Sequence, residues 1–178
     1  YTGLKTLEYR DVPNPDLKDD ENLISIRSVG ICGSDMHAFL GHDDRRPAPL
    51  ILGHEAAGDV IEGPLKGTRV TINPLVTCQK CKECKSNRSN LCGKRQIISM
   101  QPREGAFAEM VAMPSRNLVV VPDNISFNDA ALTEPLAVCW HAVRLGINAL
   151  DTEIQTANTL VIGGGAIGLG SALSLMAK

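Results

Sequence analysis

Four of the six cysteines in this 178-residue chain fall in one run, Cys78, Cys81, Cys84 and Cys92, spaced C-x2-C-x2-C-x7-C. A single short lobe can fold back and set four thiolates around one tetrahedral Zn²⁺ at roughly 2.3 Å each. Such a shell is full and leaves no position for a substrate, so a metal there holds structure. Two disulfides in a secreted domain is the competing reading. It fits less well, because Cys32 and Cys139 lie outside the cluster and no secretory signal opens the chain. Lys80, Lys82, Lys85, Arg88, Lys94 and Arg95 crowd the same stretch against a single acid, Glu83. Four thiolates on one dication carry net negative charge, which nearby cations favour. A solvated surface lobe would carry the same residues.

A second set of soft and borderline donors precedes the run. Gly30-Ile31-Cys32-Gly33-Ser34-Asp35-Met36-His37 is followed by Leu52-Gly53-His54-Glu55. Cysteine and histidine are the side chains zinc prefers, yet each half alone fits packing as well as ligation. With Glu134, in Thr133-Glu134-Pro135-Leu136, they offer three mixed ligands assembled in space. Three protein ligands leave a fourth position for water or substrate, the arrangement of a catalytic zinc.

These segments, in this order and spacing, resemble the zinc-dependent medium-chain dehydrogenases of the alcohol dehydrogenase superfamily, and within them the sorbitol or polyol branch. The resemblance rests on Gly-x-Cys-Gly-Ser-Asp-x-His, Gly-His-Glu, the four-cysteine lobe and Glu-Pro-Leu-Ala-Val-x-x-His-Ala, and runs from about Leu7 to the end. It implies that Cys32, His54 and Glu134 hold a catalytic zinc, and that Glu55 is an acid just behind the metal able to exchange into its shell. It implies a structural zinc on Cys78, Cys81, Cys84 and Cys92. Asp35 matches a carboxylate that orients His54. Ser34 and His37 match a relay that carries the alcohol proton to solvent, and a histidine suits that task because its charge changes near neutral pH. Cys139 matches no ligand position and reads as a small buried hydrophobe. In the branch acting on simple alcohols the third ligand is usually cysteine. The carboxylate of Glu134 implies a more polar metal site and a polyhydroxylated substrate. Sugar phosphates, inositol-like rings and amino alcohols such as threonine stay open.

Near the C-terminus Asn158-Thr159-Leu160-Val161-Ile162 runs into Gly163-Gly164-Gly165-Ala166-Ile167-Gly168 and a helix-like stretch from Leu169 to Lys178. Strand, glycine turn and helix are the context that the dinucleotide fingerprint G-x-G-x-x-G requires. Gly163 permits the turn, and Gly165 lets backbone approach a pyrophosphate at the helix N-terminus beside Ala166 and Ile167. Gly168 lets helix and strand pack closely. The acid that separates NAD from NADP stands about 20 residues beyond such glycines, so the cofactor is NAD or NADP. The chain stops ten residues after Gly168 and opens on Tyr1, which leads us to expect a fragment of a longer protein.

The elements that position these residues can be read coarsely. Leu23–Val29 alternates like a strand, and Ile51–Ile61 holds Gly-His-Glu and then a strand-like run. Arg69–Ile72, Ala106–Ala112 and Leu118–Val121 also read as strands, punctuated by glycine and proline as in a small, partly open β-barrel. Asp43, Asp44, Arg45 and Arg46 read as a solvated loop. From Pro135 the period changes: Leu136, Cys139 and Val143 recur as on a helix, with Gly146 as its stop and Glu134 at its start, beside a domain cleft. The expected fold is mixed α/β. The resemblance implies a GroES-like β-barrel catalytic domain with linking helix over 1–146 and the start of an incomplete Rossmann-type domain over 147–178.

Composition agrees. Hydrophobic residues make up 43% and charged residues 21%, with a net charge of −2, so no nucleic-acid or membrane partner is indicated. No apolar stretch approaches the roughly 20 residues of a membrane helix. Thiolate ligands suit a reducing compartment, and cytoplasm is the expected location. The function expected is transfer of a hydride between a secondary alcohol, a polyol or sugar alcohol, and NAD(P), with the complete protein a homo-oligomer, dimer or tetramer. The rival readings are a zinc-stabilised structural or interaction module without turnover, and a threonine-type amino-alcohol dehydrogenase.

Overall fold

A computed structural model describes residues 1–151 and 153–178 and divides them into two compact units, Tyr1–Ala131 and Leu132–Lys178. The helix that carries Glu134 in its first turn therefore lies with the glycine turn in the second unit.

The first unit is built on one antiparallel sheet. Its strands are β1 (Glu21–Gly30), β2 (Glu55–Glu62), β3 (Arg69–Ile72), β6 (Met110–Pro114) and β7 (Leu118–Val120), in the order β6-β1-β2-β3-β7. A second pair, β4 (Leu75–Val76) and β5 (Gln96–Ile97), brackets the cysteine lobe. Alternate residues of each strand point inward. Ile24, Val60, Val70, Ile72, Val111 and Met113 meet in one core together with Ile98. The sheet curls because β1 shifts register against β2 twice, between Leu23 and Ile24 and between Ile26 and Ser28. Such irregularities bend a strand and raise its twist. Short helices fill the connections: α1 (Gly33–Phe39), α2 (Lys82–Lys85) and α3 (Phe127–Ala131). Ser126 accepts the amide of Asp129 at 3.1 Å and starts α3, and Thr71 ties the helix to the sheet by donating to the Ala130 carbonyl at 2.9 Å.

The expected strands at 23–29, 51–61, 69–72 and 118–121 are present within a residue or two at most ends. The one expected at 106–112 starts later, at Met110. Residues 105–107 instead give their amides to Ile51, Gly53 and Leu52 at 2.7, 2.8 and 2.9 Å. They brace the loop that carries His54. The charge run is not a solvated loop throughout. Arg46 is buried, its guanidinium paired with Asp43 and donating from Nε to the Ser99 carbonyl at 2.9 Å. A buried charge is tolerated when paired and hydrogen-bonded in this way.

The second unit contains α4 (Thr133–Asn148) and α5 (Ala166–Met176). Cys139 and Val143 form the buried side of α4. A Cβ added at Gly170 would lie 2.7 Å from Cys139 Sγ, so a glycine on α5 and a small thiol on α4 are what let the two helices approach. The helix runs through Gly146 to Asn148, past its expected stop, because a glycine inside the last turn weakens a helix without ending it. Residues 158–162 form no strand, and Leu160 and Ile162 are 82% and 89% exposed. A parallel strand takes its hydrogen bonds from neighbouring strands, and among the described residues this unit holds none.

Candidate active site and metal centres

The cysteine lobe hangs between β4 and β5. Cys78 follows β4, Cys81 caps α2, Cys84 lies within it, and Cys92 closes the 3-10 turn Ser89–Leu91. Gln79 and Asn87 take left-handed conformations (φ 60° and 57°) that fold the lobe back on itself. All four sulfurs lie within 4.8 Å of one another. The Sγ–Sγ separations of Cys81–Cys84 and Cys78–Cys92 are 3.5 and 3.6 Å, close to the edge of about 3.8 Å in a zinc tetrathiolate with 2.3 Å bonds. All are free thiols. Without a cation they cannot all ionise together. The amides of Lys80 and Cys81 lead in drawing the Cys78 thiol down to about 6. At Cys81 an amide of Cys84 works to lower the pKa, but desolvation and the three neighbouring sulfurs outweigh it and push the thiol up to about 12. A divalent cation would remove that conflict, so the lobe fits a structural zinc. The six basic residues of the run are all exposed around it.

The second site is made by strand pairing. Gly30, the last residue of β1, stands opposite Glu55, the first of β2. Cys32, just after β1, and His54, just before β2, are thereby brought side by side although distant in sequence. The Cys32 thiol, a His54 ring nitrogen and a Glu55 carboxylate oxygen lie within 4.8 Å of one another. His54 and Glu55 are buried, and Cys32 is half-buried. Gly53 has φ +91°, and a Cβ there would lie 2.6 Å from the Phe107 ring, so only glycine gives the turn that aims His54 inward.

Behind this group lies Asp35, only 3% exposed. Its Oδ2 accepts the Cys32 amide at 3.0 Å, and its Oδ1 accepts the Gly53 amide at 3.2 Å and stands 3.6 Å from His54 Nδ1. Burial works to raise the Asp35 pKa, but His54 and the two amides outweigh it and hold the carboxyl below its usual value. The carboxylate therefore stays ionised and can orient the imidazole. Ser34 Oγ is buried with no hydrogen-bond partner among the described residues. A buried hydroxyl left so is costly unless something else comes to it. His37, one turn further along α1, is exposed, its ring 6.2 Å from that of His42.

Of the residues singled out from sequence, the structure brings together Cys32, His54 and Glu55, with Asp35 behind them. Glu134 stands half-buried in the first turn of α4, in the second unit. Ser99, whose Oγ lies 3.4 Å from Asp35 Oδ1, was not visible in the sequence. A lone serine among Ile97, Ile98 and Met100 carries no motif.

The glycine segment forms a tight turn into α5. Gly163 has φ +103°, and a Cβ at Gly168 would collide with the Gly163 carbonyl. Gly165 caps α5, and Ala166 and Ile167 begin it. The space in front of Gly164 and Gly165 is open, so a ligand can approach their backbone. The first amides of a helix lack intrahelical partners and, with its dipole, favour phosphate.

Residues 18–123 match the alcohol dehydrogenase GroES-like domain. The chain is 36% identical to a sorbitol dehydrogenase of Bacillus subtilis (strain 168) over 93% of its own length and 48% of that protein. It is 40% identical to an L-galactonate-5-dehydrogenase of Escherichia coli (strain K12) over 92% of its length and 47% of that protein. Among solved structures, it is similar to one described as a short chain alcohol dehydrogenase of E. coli CFT073 complexed with NADH. That match has a TM-score of 0.84 and 26% identity, and covers 98% of this chain and 51% of the other. The chain spans about half the length of the curated relatives it matches. Among the described residues no helix is long and apolar enough to cross a membrane.

Proposed function

Because the chain belongs to the zinc-type medium-chain dehydrogenases, on their polyol branch and through their GroES-like domain, we propose that its protein oxidises a secondary alcohol of a polyol or sugar alcohol. The alcohol carbon gives up a hydride, the hydroxyl gives up a proton, and a carbonyl compound leaves. NAD or NADP would supply the hydride acceptor, and Gly163, Gly165, Ala166, Ile167 and Gly168 would hold its pyrophosphate. A zinc held by Cys32, His54 and Glu134 would supply Lewis-acid polarisation of the substrate oxygen. Glu55 stands within reach as an alternative donor. A second zinc in the four-cysteine lobe would be structural.

The observation that carries this reading is the Cys32–His54–Glu55 set, half-buried at Cys32 and buried at His54 and Glu55, with Asp35 behind it. The orphaned Ser34 hydroxyl adds to it. In this reading Ser34 accepts the alcohol proton, and His37, three residues along α1, passes it to water. Six free thiols suit a reducing cytoplasm.

The test is steady-state kinetics of the complete protein against polyols and simple alcohols, paired with zinc analysis. Glu134→Ala is expected to lower zinc content and cut turnover by about two orders of magnitude or more. Glu134→Cys should keep zinc and change the rate. Full zinc and near-normal turnover in Glu134→Ala would remove Glu134 from the metal shell and take away the main support for the polyol reading.

A further inference from the structure

Ser99 occupies a position that local rules assign to another residue. It is the third residue of the turn Ile97–Met100, which is closed by the Met100 amide on the Ile97 carbonyl at 3.2 Å. Its φ is +67°. A left-handed residue at that place of a turn is normally glycine or asparagine, because a Cβ there is strained. Ser99 is also fully buried. A strained and buried residue persists only where its surroundings hold it, and such outliers gather at functional sites.

Two contacts hold Ser99. The Arg46 guanidinium donates to its carbonyl from one side, itself anchored by Asp43. On the other side its hydroxyl reaches Asp35 Oδ1 at 3.4 Å. That same oxygen faces His54 Nδ1 and accepts the Gly53 amide. A glycine would relieve the strain but would lose the hydroxyl.

We propose that Ser99 is a positioning residue for the Cys32–His54 metal centre: its hydroxyl fixes the Asp35 carboxylate that orients His54, and Arg46 fixes Ser99. This rests on the metal reading given above. Residues that hold a ligand's hydrogen-bond partner commonly change metal affinity 10- to 100-fold when lost.

The experiment is a Co²⁺ titration of the metal-free 178-residue chain, followed by visible absorption. A mixed nitrogen–sulfur site and a four-thiolate site give different spectra, so both are read in one sample. Ser99→Gly and Ser99→Ala are each expected to weaken Co²⁺ at the Cys32–His54 site about ten-fold and to leave the four-cysteine site unchanged. Their stabilities should diverge, the glycine variant melting above the alanine variant because it alone relieves the left-handed strain. Metal affinity would thus follow the hydroxyl and not the stability. A folded Ser99→Gly that binds Co²⁺ like the wild type would overturn the proposal, as would equal weakening of both sites. A Cys32→Ser control separates the two levels. If it leaves the wild-type spectrum unchanged, the metal reading itself falls, and the role of Ser99 with it.

Discussion

At the scale of single residues, side-chain chemistry and burial decide what each group can do. Cys32 and His54 stood out as candidate ligands by type and Asp35 by resemblance, and the antiparallel pairing of β1 with β2 supplies the proximity that sequence distance hid. His37 is exposed on α1, so water can substitute for it. His37→Ala is expected to keep zinc and lose only a few-fold in rate, with a changed pH profile, measured by kcat/KM against pH. Arg46 misled for a physical reason: a charged run looks solvated, and only its partners, Asp43 and the Ser99 carbonyl, show that it is buried. Asp43 then makes a pH prediction. Hydrogen bonding from Arg45 leads in holding its carboxyl down to about 2 from 3.8. A depressed carboxylate stabilises the fold above its unfolded pKa, and that contribution is lost as pH falls through the folded value. Asp43→Asn should cost about 2 kcal/mol at pH 7. The difference from wild type should shrink between about pH 4 and pH 2, read by denaturant melts across that range.

Whole elements were legible where their stabilising contacts are local or follow a simple period. β1, β2, β3 and β7 show themselves through alternating aliphatic residues, and α4 through the spacing of Cys139 and Val143. Residues 158–162 read as a strand from composition, but a strand exists only through hydrogen bonds to neighbours, which composition does not display. The expected strand at 106–112 likewise begins only at Met110, and residues 105–107 serve as a brace for the His54 loop. In the proposed two-zinc reading the cysteine lobe is the element whose stability depends most on metal, because only the short β4–β5 pair brackets it and a structural zinc would supply folding energy. Cys81→Ser, or chelation of the wild type, should lower the melting temperature and increase proteolysis between 78 and 95, followed by mass spectrometry. The sheet, whose core includes Ile24, Val70 and Met113, should stay folded. Proteolysis spread evenly over residues 1–131 would contradict that division.

For the molecule as a whole, the two units carry different parts of the proposed chemistry. The first holds Cys32, His54, Asp35, Ser34 and the cysteine lobe, and the second holds Glu134 and the glycine turn. The described second unit offers a dinucleotide one glycine turn and no sheet, so the 178-residue chain alone should bind NAD or NADP no tighter than about millimolar. Micromolar affinity by calorimetry would contradict this. The central claim is that two separate ligand sets hold two zinc ions and that only one of them serves the reaction. The most direct measurement is zinc per chain in the complete protein, with polyol oxidation assayed on the same preparations. Two zinc ions are predicted for the wild type. One is predicted for Cys32→Ser, with the fold intact and turnover lost. A single zinc in the wild type, unchanged in Cys32→Ser, would contradict the account.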